Sequence, residues 1–89
     1  MAEQTVTIIN KLGLHARSAS KLVSVGGAFS SKIEIHYAGK IVNGKSIMEL
    51  LMLAAKQGEQ ITIKCIGEDE SEALKAIIEL INRRFDEAE

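Results

Sequence analysis

The chain has 89 residues, with 11 Lys and Arg against 12 Asp and Glu, a formal net charge of -1, no Pro, no Trp and a single Cys. That balance excludes a global field that would draw nucleic acid or an anionic membrane, and one Tyr with two Phe are too few for a base-stacking RNA reader. No apolar run approaches the ~20 residues of a membrane span, MAEQTVTI lacks the features of a signal peptide, and the lone Cys65 forms no intrachain disulfide, so the expectation is one soluble cytoplasmic domain over residues 1–89.

QTVTIIN (4–10) is short and β-branched and predicts a strand, broken by Gly13. From Ala16, apolar residues recur at Ala19, Leu22 and Val23, a helical stripe that Gly26 and Gly27 end. KIEIHY (32–37) alternates, with Ile33, Ile35 and Tyr37 on one face; Ala38-Gly39 turns the chain, and KIVN (40–43) returns as a hairpin partner. SIMELLMLAA (46–55) predicts a second helix, and Ser46 with Glu49 has the spacing of a capping box. QITIKCI (60–66) alternates again, placing Ile61, Ile63 and Cys65 inward. A last helix starts at Asp69 with Glu72 as its box partner, carries the stripe Leu74, Ile77, Ile78, Ile81 and Phe85, and ends near Arg83-Arg84, which suits the macrodipole. The order is β-α-β-β-α-β-α. Strands with one apolar and one polar face suit an antiparallel sheet covered on one side, so the fold class is an α+β two-layer open-faced sandwich.

His15 falls where the Gly13 turn gives way to the first helix. A cation such as Arg17 in the first turn opposes the macrodipole, whose N-terminal end is already positive. The backbone N–H groups of Ala16, Arg17 and Ser18 lack intrahelical acceptors and form a ready anion site. Arg17 adds a planar fork of donors suited to phosphoryl oxygens, Lys11 and Lys21 add charge nearby, and the imidazole brings a nucleophilic nitrogen at neutral pH. A lone histidine at a helix start is most often only a polar cap. Metal binding is not expected, because alternation puts His36 on the wet face and Cys65 in the core, and no nucleophile-elbow motif accompanies the histidine.

NKLGLHARSASKL (10–22) resembles the active-site signature of the HPr family, the histidine phosphocarriers of the bacterial phosphotransferase system. GAFSSKIEI, GKIVNGKSIMELLMLAA and EDESEALKAIIELI match the same family in the same order. The resemblance implies a four-stranded antiparallel sheet of order 1-4-2-3 with three helices on one face. It implies that His15 accepts a phosphoryl group on Nδ1 from phosphorylated enzyme I, itself charged from phosphoenolpyruvate, and passes it to IIA domains for sugar uptake or regulation. Arg17 then pairs with the phosphoryl group. Such a protein is a monomeric carrier rather than a turnover enzyme, with no cofactor, metal, nucleic acid or membrane insertion.

Ser46 reads first as a helix cap; the resemblance adds phosphorylation there by a serine-specific HPr kinase/phosphorylase. Nearly every residue from 47 to 55 is apolar, more than one buried face can use. Leu50 and Leu53 suit the core, and Ile47, Met48 and Leu51 suit a docking patch for enzyme I and IIA domains. Two positions depart from the usual family pattern: Ser18 stands where proline is common, and Glu49 where glycine is common. LINRRFDE is reminiscent of proteobacterial members, including the nitrogen-related paralogue. A sugar-branch carrier, a nitrogen-branch (NPr-type) carrier and a regulatory binding protein controlled through Ser46 all remain open at this point.

Overall fold

Alternation decides the sheet, and the sheet decides where everything else packs. The computed structural model describes residues 1–89. It contains β1 (Ala2–Thr7), α1 (Ala16–Gly27), β2 (Lys32–Tyr37), β3 (Lys40–Asn43), α2 (Ile47–Leu53), β4 (Gln60–Ile66) and α3 (Glu70–Asn82), then a short left-handed turn at Arg84–Asp86. All strand pairs are antiparallel, in the order β1-β4-β2-β3. Val6, Ile33, Ile35, Ile61, Ile63 and Cys65 point from one face into a core that Leu22, Leu50, Ile77, Leu80 and Ile81 complete. The other face stays polar: Thr5 and Thr62 share a hydroxyl hydrogen bond of 2.8 Å, and Lys64 lies in register between Glu3 and Glu34. This is the open-faced sandwich that the patterning predicts. Burial pushes the Cys65 thiol up from its ordinary range, as suits a core residue.

The first strand is displaced from its expected span of 4–10. Its pairing with β4 starts at Ala2↔Cys65 and runs out at Thr7↔Gln60, so Ile8, Ile9 and Asn10 have no ladder to join. Ile8 turns instead, accepting from Gly58 N at 2.7 Å and donating to Glu59 O at 2.9 Å. The second helix is shorter than 46–55, because Ala54 adopts a left-handed conformation (φ 54°) and caps it.

Both expected capping boxes differ from expectation, for one physical reason: a backbone donor elsewhere takes the carboxylate. Ser46 Oγ does accept from Glu49 N at 3.3 Å, but the Glu49 carboxylate reaches Asn43 N at 3.0 Å rather than Ser46 N. Asp69 is the N-cap of α3 without a side-chain cap bond, and Glu72 completes no box. The Asp69 carboxylate accepts from Ser31 Oγ at 2.5 Å, Ser30 N at 2.9 Å and Ser31 N at 3.0 Å, tying the start of α3 to the start of β2. At its other end α3 stops at Asn82, so Phe85 reaches the core from the left-handed turn and not from the helical stripe. Arg83 sits at the C-cap with its Nε on Asp86 Oδ1 at 2.9 Å.

The Ser31 hydroxyl, with the Ser30 and Ser31 N–H groups, holds the Asp69 carboxyl below its ordinary value of 3.8. A group depressed on folding contributes stability that is present above its unfolded pKa and lost as pH falls through its folded pKa. Asp69→Asn should therefore lower the melting temperature most at neutral pH, and the gap to the parent should close as pH drops below 3.8. A series of thermal melts against pH checks this; a gap independent of pH would mean that the charge is irrelevant.

Candidate functional site

A close backbone approach builds the site. Gly13 (φ +67°) passes so near the end of α2 that a Cβ there would lie 2.6 Å from Ala55 O. Leu14 N then donates to Ala55 O at 2.9 Å, which docks the start of α1 on the chain leaving α2. His15 follows in extended conformation and caps the helix. Its Nδ1 accepts from Arg17 N at 3.3 Å, and its own N–H donates to Ser18 Oγ at 2.9 Å. The first i→i−4 bond is Ala19 N to His15 O, at 2.8 Å. Ser18 is fully buried and its hydroxyl donates back to Gly13 O at 2.9 Å, so only its backbone is left for an anion.

The far side of the imidazole meets the C-terminal segment. His15 Nε2 lies 2.5 Å from Glu87 Oε2, and Asn10 Nδ2 donates to Glu87 Oε1 at 2.9 Å. Asn10 Nδ2 also donates to Gly13 O at 2.8 Å. Burial of Glu87 works against its charge, but hydrogen bonds from Asn10 and His15 and the nearby Arg17 guanidinium outweigh it, holding the carboxyl below its ordinary 4.5.

The two lysines expected to lend charge are engaged by the same segment. Lys21 Nζ donates to Phe85 O at 2.8 Å, and Lys11 Nζ pairs with Glu89 Oε2 at 3.2 Å. Arg17 is exposed, forms no salt bridge, and lines an open hollow of about 300 Å³ with Lys11, Leu12, Glu87, Ala88 and Glu89. His36 sits on the open sheet face against Glu34 at 3.0 Å, and Cys65 is in the core, so neither joins His15. Sequence reasoning missed Asn10 and Glu87, which are 77 residues apart.

α2 divides its apolar residues as expected. Leu50 and Leu53 are buried, whereas Ile47 (39%), Met48 (72%), Leu51 (37%) and Met52 (73%) face solvent, as does Leu12 (65%) beside the site. Met52 and Leu12 were not expected, although Met52 follows from helical spacing, one turn beyond Met48.

The fold and site define the class as an open-faced α+β sandwich with a histidine at the N-cap of its first helix. A family model described as the PTS HPr component phosphorylation site matches residues 2–83, and the chain belongs to that family. It is 50% identical over 90 residues to phosphocarrier protein HPr of Pseudomonas putida, covering 100% of both chains. It is 44% identical over 86 residues to phosphocarrier protein NPr of Shewanella violacea, covering 97% of this chain and 94% of that one. An HPr crystal structure from Thermoanaerobacter tengcongensis superposes with a TM-score of 0.96 at 43% identity, covering 100% of both chains.

The two kinds of apolar residue on α2 should respond differently to substitution. Leu50→Ala, at a fully buried position, should cost about 2–5 kcal/mol in denaturant unfolding. Met48→Glu, at an exposed one, should stay within about 0.5 kcal/mol of the parent. Equal losses would mean that the exposed row is part of the core.

Proposed function

We propose that the chain carries a phosphoryl group on His15 Nδ1, taken from phosphorylated enzyme I and passed to a IIA domain. The observation that carries this reading is the orientation of the ring: Nδ1 faces the N-terminus of α1, 3.3 Å from Arg17 N. A phosphoryl dianion on that nitrogen would meet the helix's free N–H groups, Ala16 first and Ser18 behind it. It would also meet the one site cation without a partner, Arg17, whose planar fork suits phosphoryl oxygens. A cation misplaced at an empty helix end is well placed at one bearing a dianion.

The protein in this reading is a cytoplasmic carrier formed as one domain over residues 1–89, consumed and regenerated by its partners. Ile47, Met48 and Leu51 form the docking patch on both, with Leu12 and Met52 extending it. Adaptable Met and Leu side chains suit a surface that must fit more than one partner. The likeness to both HPr and NPr relatives leaves two candidate branches; comparing transfer to sugar-branch and nitrogen-branch IIA domains separates them.

Incubation with enzyme I and phosphoenolpyruvate should add a single acid-labile phosphate to the intact mass, and His15→Ala should abolish it. Labelling that survives in His15→Ala would move the acceptor elsewhere, for instance to His36. Arg17→Ala should slow transfer by roughly 100-fold, the scale of removing one donor to a developing anion. Its melting temperature should hardly change, because an exposed arginine opposing the dipole contributes little to the fold. A destabilised variant with normal transfer would make Arg17 structural.

Ser46 caps α2 next to the patch, and a serine kinase would place roughly -1.5 to -2 charges there. At a helix N-terminus that charge is locally favourable; its cost falls on an apolar interface. Ser46→Asp should slow phosphorylation of His15 by enzyme I while the melt stays near that of the parent. A variant phosphorylated as fast as the parent would leave Ser46 as a cap and nothing more.

A further inference from the structure

The C-terminal segment makes a contact with the imidazole that phosphoryl binding at Nδ1 does not use. Glu87 is 72 residues from His15 in sequence, yet its side chain is only 10% exposed and its Oε2 lies 2.5 Å from Nε2. We infer that Glu87 is a positioning residue for phosphoryl transfer: its carboxylate takes the Nε2–H bond, fixes the tautomer and plane of the ring, and presents the Nδ1 lone pair at the helix end. This rests on the reading of His15 as the acceptor.

Two contacts on opposite nitrogens specify the same state. An ionised carboxylate only accepts, so the proton of the neutral ring belongs on Nε2. Arg17 N–H only donates, so Nδ1 carries the lone pair. The carboxylate is itself held, since Asn10, fully buried, spans Glu87 Oε1 and Gly13 O with one amide nitrogen. Gly13 O also receives the Ser18 hydroxyl, so ring, carboxylate and helix start hang from one stretch of backbone. The segment is returned to the site by the left-handed run Arg84, Phe85 and Asp86 (φ 59°, 54° and 61°), anchored by the buried Phe85 ring and by Lys21 on Phe85 O.

The chemistry balances with no further reactant. The Nδ1 lone pair forms the bond to phosphorus as the donor's bond to phosphorus breaks. Nε2 keeps its proton, and the ring takes up positive charge that the Glu87 carboxylate faces, as a buried aspartate steadies an imidazolium in hydrolase triads. On onward transfer the electrons of the N–P bond return to Nδ1. The starting tautomer is restored without any proton being exchanged.

The test uses the full chain, isotopically labelled at the histidine nitrogens and unphosphorylated, at a pH where the ring is neutral. The parent should show an Nε2-bound proton that exchanges slowly and resonates far downfield, with Nδ1 unprotonated. In Glu87→Gln and Glu87→Ala that protected proton should be lost, the two nitrogen shifts should move toward each other, and transfer from enzyme I should fall by about tenfold, the usual scale for loss of a ring-orienting partner. Glu72→Gln removes an exposed carboxylate in the first turn of α3, away from the ring, and should leave ring signals and rate at parent values. Ring signals unchanged in both Glu87 variants, or an equal change in Glu72→Gln, would overturn the assignment. If the parent protein itself takes up no phosphoryl group, the reading of His15 falls, whereas the ring signals still decide whether Glu87 positions the imidazole.

Discussion

The start of α1 rests against the end of α2 through a backbone contact that tolerates no side chain. Gly13 supplies it: with φ +67° and Ala55 O only 2.6 Å from where a Cβ would be, both the conformation and the space require glycine. The adjoining Leu14 N to Ala55 O bond closes the joint. From this joint follows the placement of His15 at the helix end, and beside it the exposed row of α2. The His15 ring and the exposed apolar row of α2, which belong to different helices, thus become neighbours through the joint between the two connecting segments.

The patterned parts of the fold were legible because burial on one face leaves a mark at every second residue. β2 and β4 run over the spans their alternation predicts, and Ile61, Ile63 and Cys65 all enter the core. Where pairing rather than patterning sets the boundary, the reading slipped. Ile8 is as apolar as Val6, but β4 ends opposite Thr7, so β1 ends there too. The capping boxes slipped for a related reason. A box is a local rule, and Asn43 N and the Ser30–Ser31 backbone, brought in by tertiary structure, outcompete the local donor for Glu49 and Asp69.

The site divides the same way. His15, Arg17 and Ser18 are close in sequence, and helix-end physics alone places them. Ser18 completes the cap at the position where proline is usual in the family; its hydroxyl accepts from His15 N and donates to Gly13 O, a bridge that proline cannot make. Asn10 and Glu87 left no signal, because each is an ordinary polar residue whose role exists only once the left-handed turn after α3 folds the chain back. The partners of Lys11 and Lys21 were illegible for the same reason: Glu89 Oε2 and Phe85 O lie in that returning segment.

Pairing those lysines would matter to the proposed carrier, which must hold its cargo without keeping it. An anion enclosed by several buried cations is slow to leave. Here a phosphoryl group on Nδ1 would meet one exposed guanidinium and a helix end, and a helix end contributes only about 0.3–1 kcal/mol at an exposed position. The proposed docking surface follows the same logic. Stable complexes bury ~1,200–2,000 Å² in total, and the seven residues of α2 supply only the centre of such an area. In the proposed function, modest attraction for the cargo and modest attraction for each partner would then be one design: neither the phosphoryl group nor the carrier would be trapped at any station, and the direction of transfer would be left to the relative stability of the phosphoryl group on donor and acceptor.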